Sequence, residues 1–158
     1  ELAKDRTSEW EAWKHAIYWV KKRYGEFDEF ISLPPTSPLR SLFDVESAIL
    51  RKLKVGADIC IAITSASHSP YFNMIKLSDD NMVELVKKPS DRIYHRQDTP
   101  KVFNITTVVY VANVEFILKN NYLFDGKVTS IEVPKERAID IDDIYDFNFA
   151  ESILLNNL

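Results

Sequence analysis

The run Asp58-Ile59-Cys60-Ile61-Ala62-Ile63-Thr64 constrains the fold more than any other stretch. Seven residues of near-continuous apolar character, rich in β-branched side chains, suit a strand buried on both faces. Such a strand needs layers above and below it, and helical patterns flank it. Ser8 with Glu11 has capping-box spacing, and Trp10, Trp13, Ile17, Val20 and Tyr24 then recur at helical intervals up to Gly25. Glu29–Leu33 reads as a strand that stops at Pro34-Pro35. A second helix follows, with Val45, Ile49 and Leu53 on its inner face and Gly56 at its end. Helix, strand, helix, strand predicts an α/β domain whose strands run mostly parallel and are joined by right-handed crossovers.

Beyond the central strand the pattern changes. Tyr71–Leu77 and Met82–Val86, joined by Ser78-Asp79-Asp80-Asn81, read as a hairpin leaving the main sheet. Val102–Ala112 returns to the core, followed by a short helix over Val114–Lys119 and a strand at Val128–Val133. A last helix spans Ile144–Leu155, with Phe147, Ala150, Ile153 and Leu154 expected to face inward. At 158 residues this is one domain, and no apolar run reaches the length of about 20 residues that spans a bilayer, so no membrane partner is expected. The net charge of −4 argues against nucleic acid as a partner. One cysteine, Cys60, allows no internal disulfide and no thiolate zinc cage. With no secretion signal visible, a cytoplasmic location is expected.

Several chemistries lack their residues. Gly25, Gly56 and Gly126 lie too far apart for a P-loop or a G-x-G-x-x-G turn. His15, His68 and His95 are isolated, and no serine sits in a G-x-S-x-G elbow. Trp10, Trp13 and Trp19 read as core or interface residues. Ligands of open α/β sheets gather beyond the carboxyl ends of the strands, and three polar clusters fall there: Pro35-Thr36-Ser37-Pro38-Leu39-Arg40, Ser65–Asn73 and Asp140-Ile141-Asp142. In Asp140-Ile141-Asp142, residues two apart in an extended chain point the same way, so both carboxylates could reach one Mg²⁺. The competing reading is that acidic residues before a helix cap it. Thr36, Ser37 and Arg40 offer hydroxyls and a guanidinium to an anion, or form an ordinary polar turn. The stretch Lys87-Lys88, Arg92, His95-Arg96 and Lys101 could neutralise an anionic substrate, or be a solvated face.

Taken together and in order, these clusters resemble the N-acylneuraminate (CMP-sialic acid) cytidylyltransferase family. The matching stretches are Leu33-Pro34-Pro35-Thr36-Ser37-Pro38-Leu39-Arg40, Ser69-Pro70-Tyr71-Phe72-Asn73, Arg96-Gln97-Asp98 with Pro100, Thr107-Val108-Val109-Tyr110, and Asp140-Ile141-Asp142 with Asp146-Phe147 and Ala150-Glu151. The resemblance implies a Rossmann-like nucleotidyltransferase fold. It implies transfer of CMP from CTP to a nine-carbon sugar acid, with release of pyrophosphate and a requirement for Mg²⁺. On this chain it makes Asp140 and Asp142 the metal ligands, with Asp142 and Arg96 as catalytic residues and Gln97 beside the substrate. Thr7 and Ser8 would approach the cytidine, while Thr36, Ser37 and Arg40 would shape the pocket. Residues 66–104 would be a dimerisation lobe, so a homodimer is expected.

The departures are informative. The family's opening Ala-Arg-Gly-Gly-Ser-Lys type phosphate loop is not among these residues, in agreement with the glycine count, so an N-terminally truncated domain is expected. Sialic-acid members usually have Gln where Pro34 stands, Lys near Phe72 and Arg near Asn104. Their replacement points to a related nonulosonic acid such as legionaminic or pseudaminic acid. The alternatives are the ketodeoxyoctonate branch and a non-catalytic dimerisation or binding fragment.

Overall fold

The computed structural model describes residues 8–89 and 92–156. Helix α1 (Glu9–Tyr24) starts where the Ser8 hydroxyl accepts the Glu11 amide and ends at Gly25, whose φ of 95° suits glycine. Strand β1 (Glu29–Ser32) leads through the proline loop to α2 (Leu42–Val55), which Gly56 closes in the left-handed conformation. Then come β2 (Ile59–Ser65), the short strands β3 (Ile75–Leu77) and β4 (Val83–Leu85), and β5 (Phe103–Asn113). Helix α3 (Val114–Lys119), β6 (Val128–Glu132) and α4 (Ile144–Asn156) complete the described chain.

The main sheet has the order β1-β5-β2-β6. Strands β1, β2 and β6 run one way; β5, antiparallel to both β1 and β2, runs the other. The α/β class holds with three of four strands codirectional, but β5 is inserted between the two strands that α2 connects. Side chains of β2 alternate as a doubly covered strand requires. Ile59 and Ile61 pack with Trp13 and Ile17 of α1 and with α3, whereas Cys60 and Ala62 pack with Ala48 of α2. Burial raises the Cys60 thiol to about 11, so it is a core residue and not a nucleophile.

Two helix faces differ from expectation. On α2 the buried residues are Asp44, Ala48 and Lys52, with Val45 and Ile49 partly covered, and Leu53 is 61% exposed. The inner stripe is rotated because Asp44 and Lys52 each find a charged partner beneath the helix. On α4 only Ala150 is buried, against Leu39 and Ile139, with Ile153 packed at its side; Phe147 and Leu154 are exposed. Nothing in the described chain lies over their side of the helix. Trp19 is likewise exposed, in edge-to-face contact with Tyr24 and under the Arg23 guanidinium. Strands β3 and β4 form their own two-stranded sheet, as the hairpin pattern predicts, and leave Ile75, Leu77, Met82 and Val83 open.

Candidate active site

Because β1, β2 and β6 share a direction, the loops after all three open at one end of the sheet, where β5 begins. The loop after β1 is built on itself. Ser37 N–H donates to the Pro34 carbonyl at 3.3 Å, and the Arg40 guanidinium donates to the same carbonyl. Ser37 is 1% exposed, and its hydroxyl shares a 2.6 Å hydrogen bond with Thr107. Thr107 is free to reach it because the β2–β5 register jumps from Ile61↔Tyr110 to Ala62↔Thr106, leaving Thr107–Val109 without partners on β2. Such irregularities re-aim side chains beside functional sites. Ser37 therefore shapes this loop from within, and Thr36 stands exposed at its surface. Burial lowers the Arg40 pKa, and its Nε is buried without a partner.

The loop after β6 docks onto this one. The Ile141 amide donates to the Thr36 carbonyl at 2.8 Å, joining the two most specific clusters of the sequence. The capping alternative for the acidic run now has an owner. Asp143 accepts the amides of Tyr145 (2.7 Å) and Asp146 (3.0 Å), while Asp146 accepts those of Asp142 (3.1 Å) and Asp143 (3.3 Å). Asp143 and Asp146 thus cap α4. Among the described residues, the carboxylates of Asp140 and Asp142 make no hydrogen bond, and Asp140 Oδ1 is buried with no partner. A buried carboxylate oxygen without a donor is costly and fits a cation. No three His, Cys, Asp or Glu side chains converge among the described residues, so a metal here would draw most of its shell from water or phosphate, as Mg²⁺ does.

The electrostatics agree with the geometry. Burial chiefly, and then the charges of Glu9 and Asp140, push Tyr110 up to about 12. Glu9 is also raised, by burial first and by Asp140, against an opposing hydrogen bond from Trp13. Negative charge therefore collects where α1 begins and the Asp140 loop passes.

Arg96 and Gln97 lie on a 3-10 turn (Arg96–Asp98) and line a separate open cleft of about 410 Å³ with Ser65, Ser69, Lys101 and Glu132. Around Ser69 the Ser-Pro-Tyr-Phe-Asn motif folds into a knot. Its carbonyl accepts the amides of Phe72, Asn73 and Met74, and its own N–H donates to Asn73 at 2.6 Å. Arg96 is exposed, and its side chain has no partner among the described residues. The structure thus joins Thr36 and Ser37 to the Asp140 loop and sets Arg96 and Gln97 in the neighbouring cleft. Ser8 is the cap of α1, and Thr7 lies outside the described residues. Sequence reasoning missed Glu9 and the Arg137–Asp44 pair, and gave Tyr110 no role beyond its place in a matching stretch. Of the two missed, only the pair left a trace, in the capping-box spacing of Ser41 and Asp44.

A strand-end site on a mixed sheet flanked by helices defines the class: an α/β domain of Rossmann-like fold. Solved structures share this fold. CMP:2-keto-3-deoxy-manno-octonic acid synthetase, complexed with CTP, superposes with a TM-score of 0.64 at 10% identity, over 98% of this chain and 70% of that one. A 4-diphosphocytidyl-2C-methyl-D-erythritol synthase from Anaerococcus prevotii gives 0.57 at 16% identity, over 89% and 64%. By sequence the chain is similar to a flagellin modification protein and to N-acylneuraminate cytidylyltransferases. It is 32% identical over 130 residues to post-translational flagellin modification protein B of Campylobacter coli, covering 82% of this chain and 54% of that protein. It is 26% identical over 153 residues to an N-acylneuraminate cytidylyltransferase of Escherichia coli O18:K1:H7, covering 97% and 35%. The chain thus spans about half of the first relative and about a third of the second. No protein-family model matches it.

Proposed function

We propose that the protein transfers CMP from CTP to a nonulosonic, sialic-type sugar acid, with Mg²⁺ held by Asp140 and Asp142. The observation that carries this reading is the orphaned, buried Asp140 oxygen on a loop docked to Thr36, at the end of the sheet where such folds bind ligands. In the reaction the sugar's anomeric hydroxyl attacks the α-phosphorus. Its P–O bond forms, the bond to the β-phosphate breaks, the hydroxyl proton leaves and pyrophosphate departs. A divalent ion bound there supplies charge stabilisation at the phosphates. Asp140 and Asp142 provide its protein oxygens, and the Thr36 loop fixes their height. Arg96 and Gln97 offer donors to the anionic acceptor from the adjacent cleft. Pro34, Phe72 and Asn104 favour a legionaminic- or pseudaminic-type acid.

We also read the β3–β4 hairpin as the dimerisation lobe, because a two-stranded sheet with its apolar residues in water needs a partner to be stable. Deleting residues 71–95 is expected to give a monomer by light scattering; a persisting dimer would refute the assignment. Calorimetry tests the site. CTP with Mg²⁺ should release heat of binding that Asp140→Ala abolishes. No binding by a stable dimer would instead favour a non-catalytic dimerisation module.

A further inference from the structure

The Asp140 loop is fastened at two points, and only one of them lies in the motifs that the sequence singles out. Downstream, the Ile141 amide meets the Thr36 carbonyl. Upstream, Arg137 grips Asp44 with a two-pronged contact, Nε to Oδ2 at 3.0 Å and a terminal nitrogen to Oδ1 at 2.8 Å. Asp44 is the third residue of α2. It also accepts the Ser41 amide at 2.9 Å and the Ser41 hydroxyl at 2.8 Å, and its side chain is 3% exposed. Four donors therefore fix one carboxylate, and Arg137 reaches it from across the site. Both fastenings end on the same short stretch, the loop and first turn between Thr36 and Asp44. Asp140 hangs between them. A bidentate fork sets an angle as well as a distance, which a lysine cannot do.

We propose that Arg137 is a positioning residue for the acidic pair: its fork on Asp44 orients the 137–142 segment so that Asp140 presents its buried oxygen to the metal and the nucleotide phosphates. This rests on the function proposed above. It assigns a role to a residue that touches neither metal nor substrate, and groups that orient ligands in this indirect way commonly change metal affinity 10–100-fold when removed.

The test uses Mn²⁺ with CTP as probe, its free concentration read by electron paramagnetic resonance, and amide hydrogen exchange at Ile141. Arg137→Ala should weaken Mn²⁺ binding about tenfold and speed exchange at Ile141. Ser41→Ala removes the α2 cap hydroxyl while leaving the Arg137 fork, so it controls for lost stability. It should lower the melting temperature yet leave both readouts near wild type. Arg137→Lys keeps the charge without the fork and should fall between them; it also serves if the alanine variant does not fold. Wild-type Mn²⁺ affinity and Ile141 exchange in both Arg137 variants would overturn the proposal, as would equal losses in Ser41→Ala. If the wild-type protein itself binds no Mn²⁺ with CTP, the reading of function fails, and Ile141 exchange in Arg137→Ala against Ser41→Ala alone decides whether the fork orients the loop.

Discussion

The two ends of the sheet handle charge in opposite ways. At the amino end the charges are paired. The Lys52 ammonium, 3% exposed, sits on both Glu29 oxygens at 2.7 and 2.9 Å and on Asn113. Asp58 accepts the Lys127 amide at 2.8 Å, and Lys21 meets Glu26. At the carboxyl end the side chains of Asp140, Asp142 and Arg96 have no hydrogen-bond partner among the described residues, and the Asp140 charge adds to the burial that raises Glu9 and Tyr110. Paired charges serve the fold, whereas unpaired ones held in place against their own repulsion mark the region kept for ligands. The cleft at the amino end, about 610 Å³ and bordered by Lys21, Asp28, Asp58 and Glu115, is the larger of the two. Its volume is a poorer guide than the state of its charges.

Substitutions at the two ends should separate activity from stability. The largest effect is expected at Asp142. Asp142→Asn should lower turnover by about two orders of magnitude or more while the melting temperature barely moves. Near-normal pyrophosphate release would remove Asp142 from the mechanism. The matching change at the amino end is Glu29→Ala, which leaves the Lys52 ammonium buried with Asn113 alone. It should cost about 3 kcal/mol in urea unfolding and leave CTP binding intact. A loss of CTP affinity there would blur the division between the ends.

How much of this was legible from residues alone depends on the kind of contact. The strand at Asp58–Thr64, the caps at Ser8 and Gly56 and the hairpin around Ser78–Asn81 were readable, because each rests on local spacing. The direction of β5 was not, since an apolar run looks the same whichever way it pairs. The inward face of α2 was misread for a related reason. Asp44 and Lys52 count as surface residues until Arg137 and Glu29, far away in sequence, are brought beneath them. In the candidate site, the α/β pattern placed the Thr36 and Asp140 loops at the same end of the sheet, but the hydrogen bond that docks them needed coordinates. That Asp143 and Asp146, rather than Asp142, cap α4 needed coordinates.

A smaller effect is expected at Gly126, which lines the amino-end cleft. A Cβ there would come within 2.4 Å of the Phe116 ring and 2.8 Å of Asp58 Oδ2. Phe116 is buried in the α1 layer and cannot swing aside freely. Gly126→Ala should therefore destabilise by about 1–3 kcal/mol through overpacking, with the Mn²⁺ affinity unchanged. A neutral result in urea would mean that the ring yields.

The smallest expected effects are in pH dependence, where the paired and the unpaired carboxylates of the site end carry opposite signs. Burial favours the neutral form of Asp44, but the bonds from Arg137 and Ser41 outweigh it and hold the carboxyl below its ordinary 3.8. Below 3.8 the unfolded chain then binds the proton more readily than the native one, so this contribution is present above 3.8 and lost as pH falls through the depressed native value. Glu9 runs the other way. Its native value lies above the ordinary 4.5, so the native state holds the proton longer and loses stability as pH rises from about 4.5 through that raised value. Thermal melts from pH 3 to pH 7 on Asp44→Asn and Glu9→Gln separate the two. Asp44→Asn should be less stable than wild type at pH 7 and converge on it toward pH 3. Glu9→Gln should be slightly more stable at pH 7 and lose that advantage below about pH 4. Parallel curves for Glu9→Gln at every pH would show that the crowded acidic groups of the site exert no cost on folding, and the contrast between the ends would reduce to the paired charges alone.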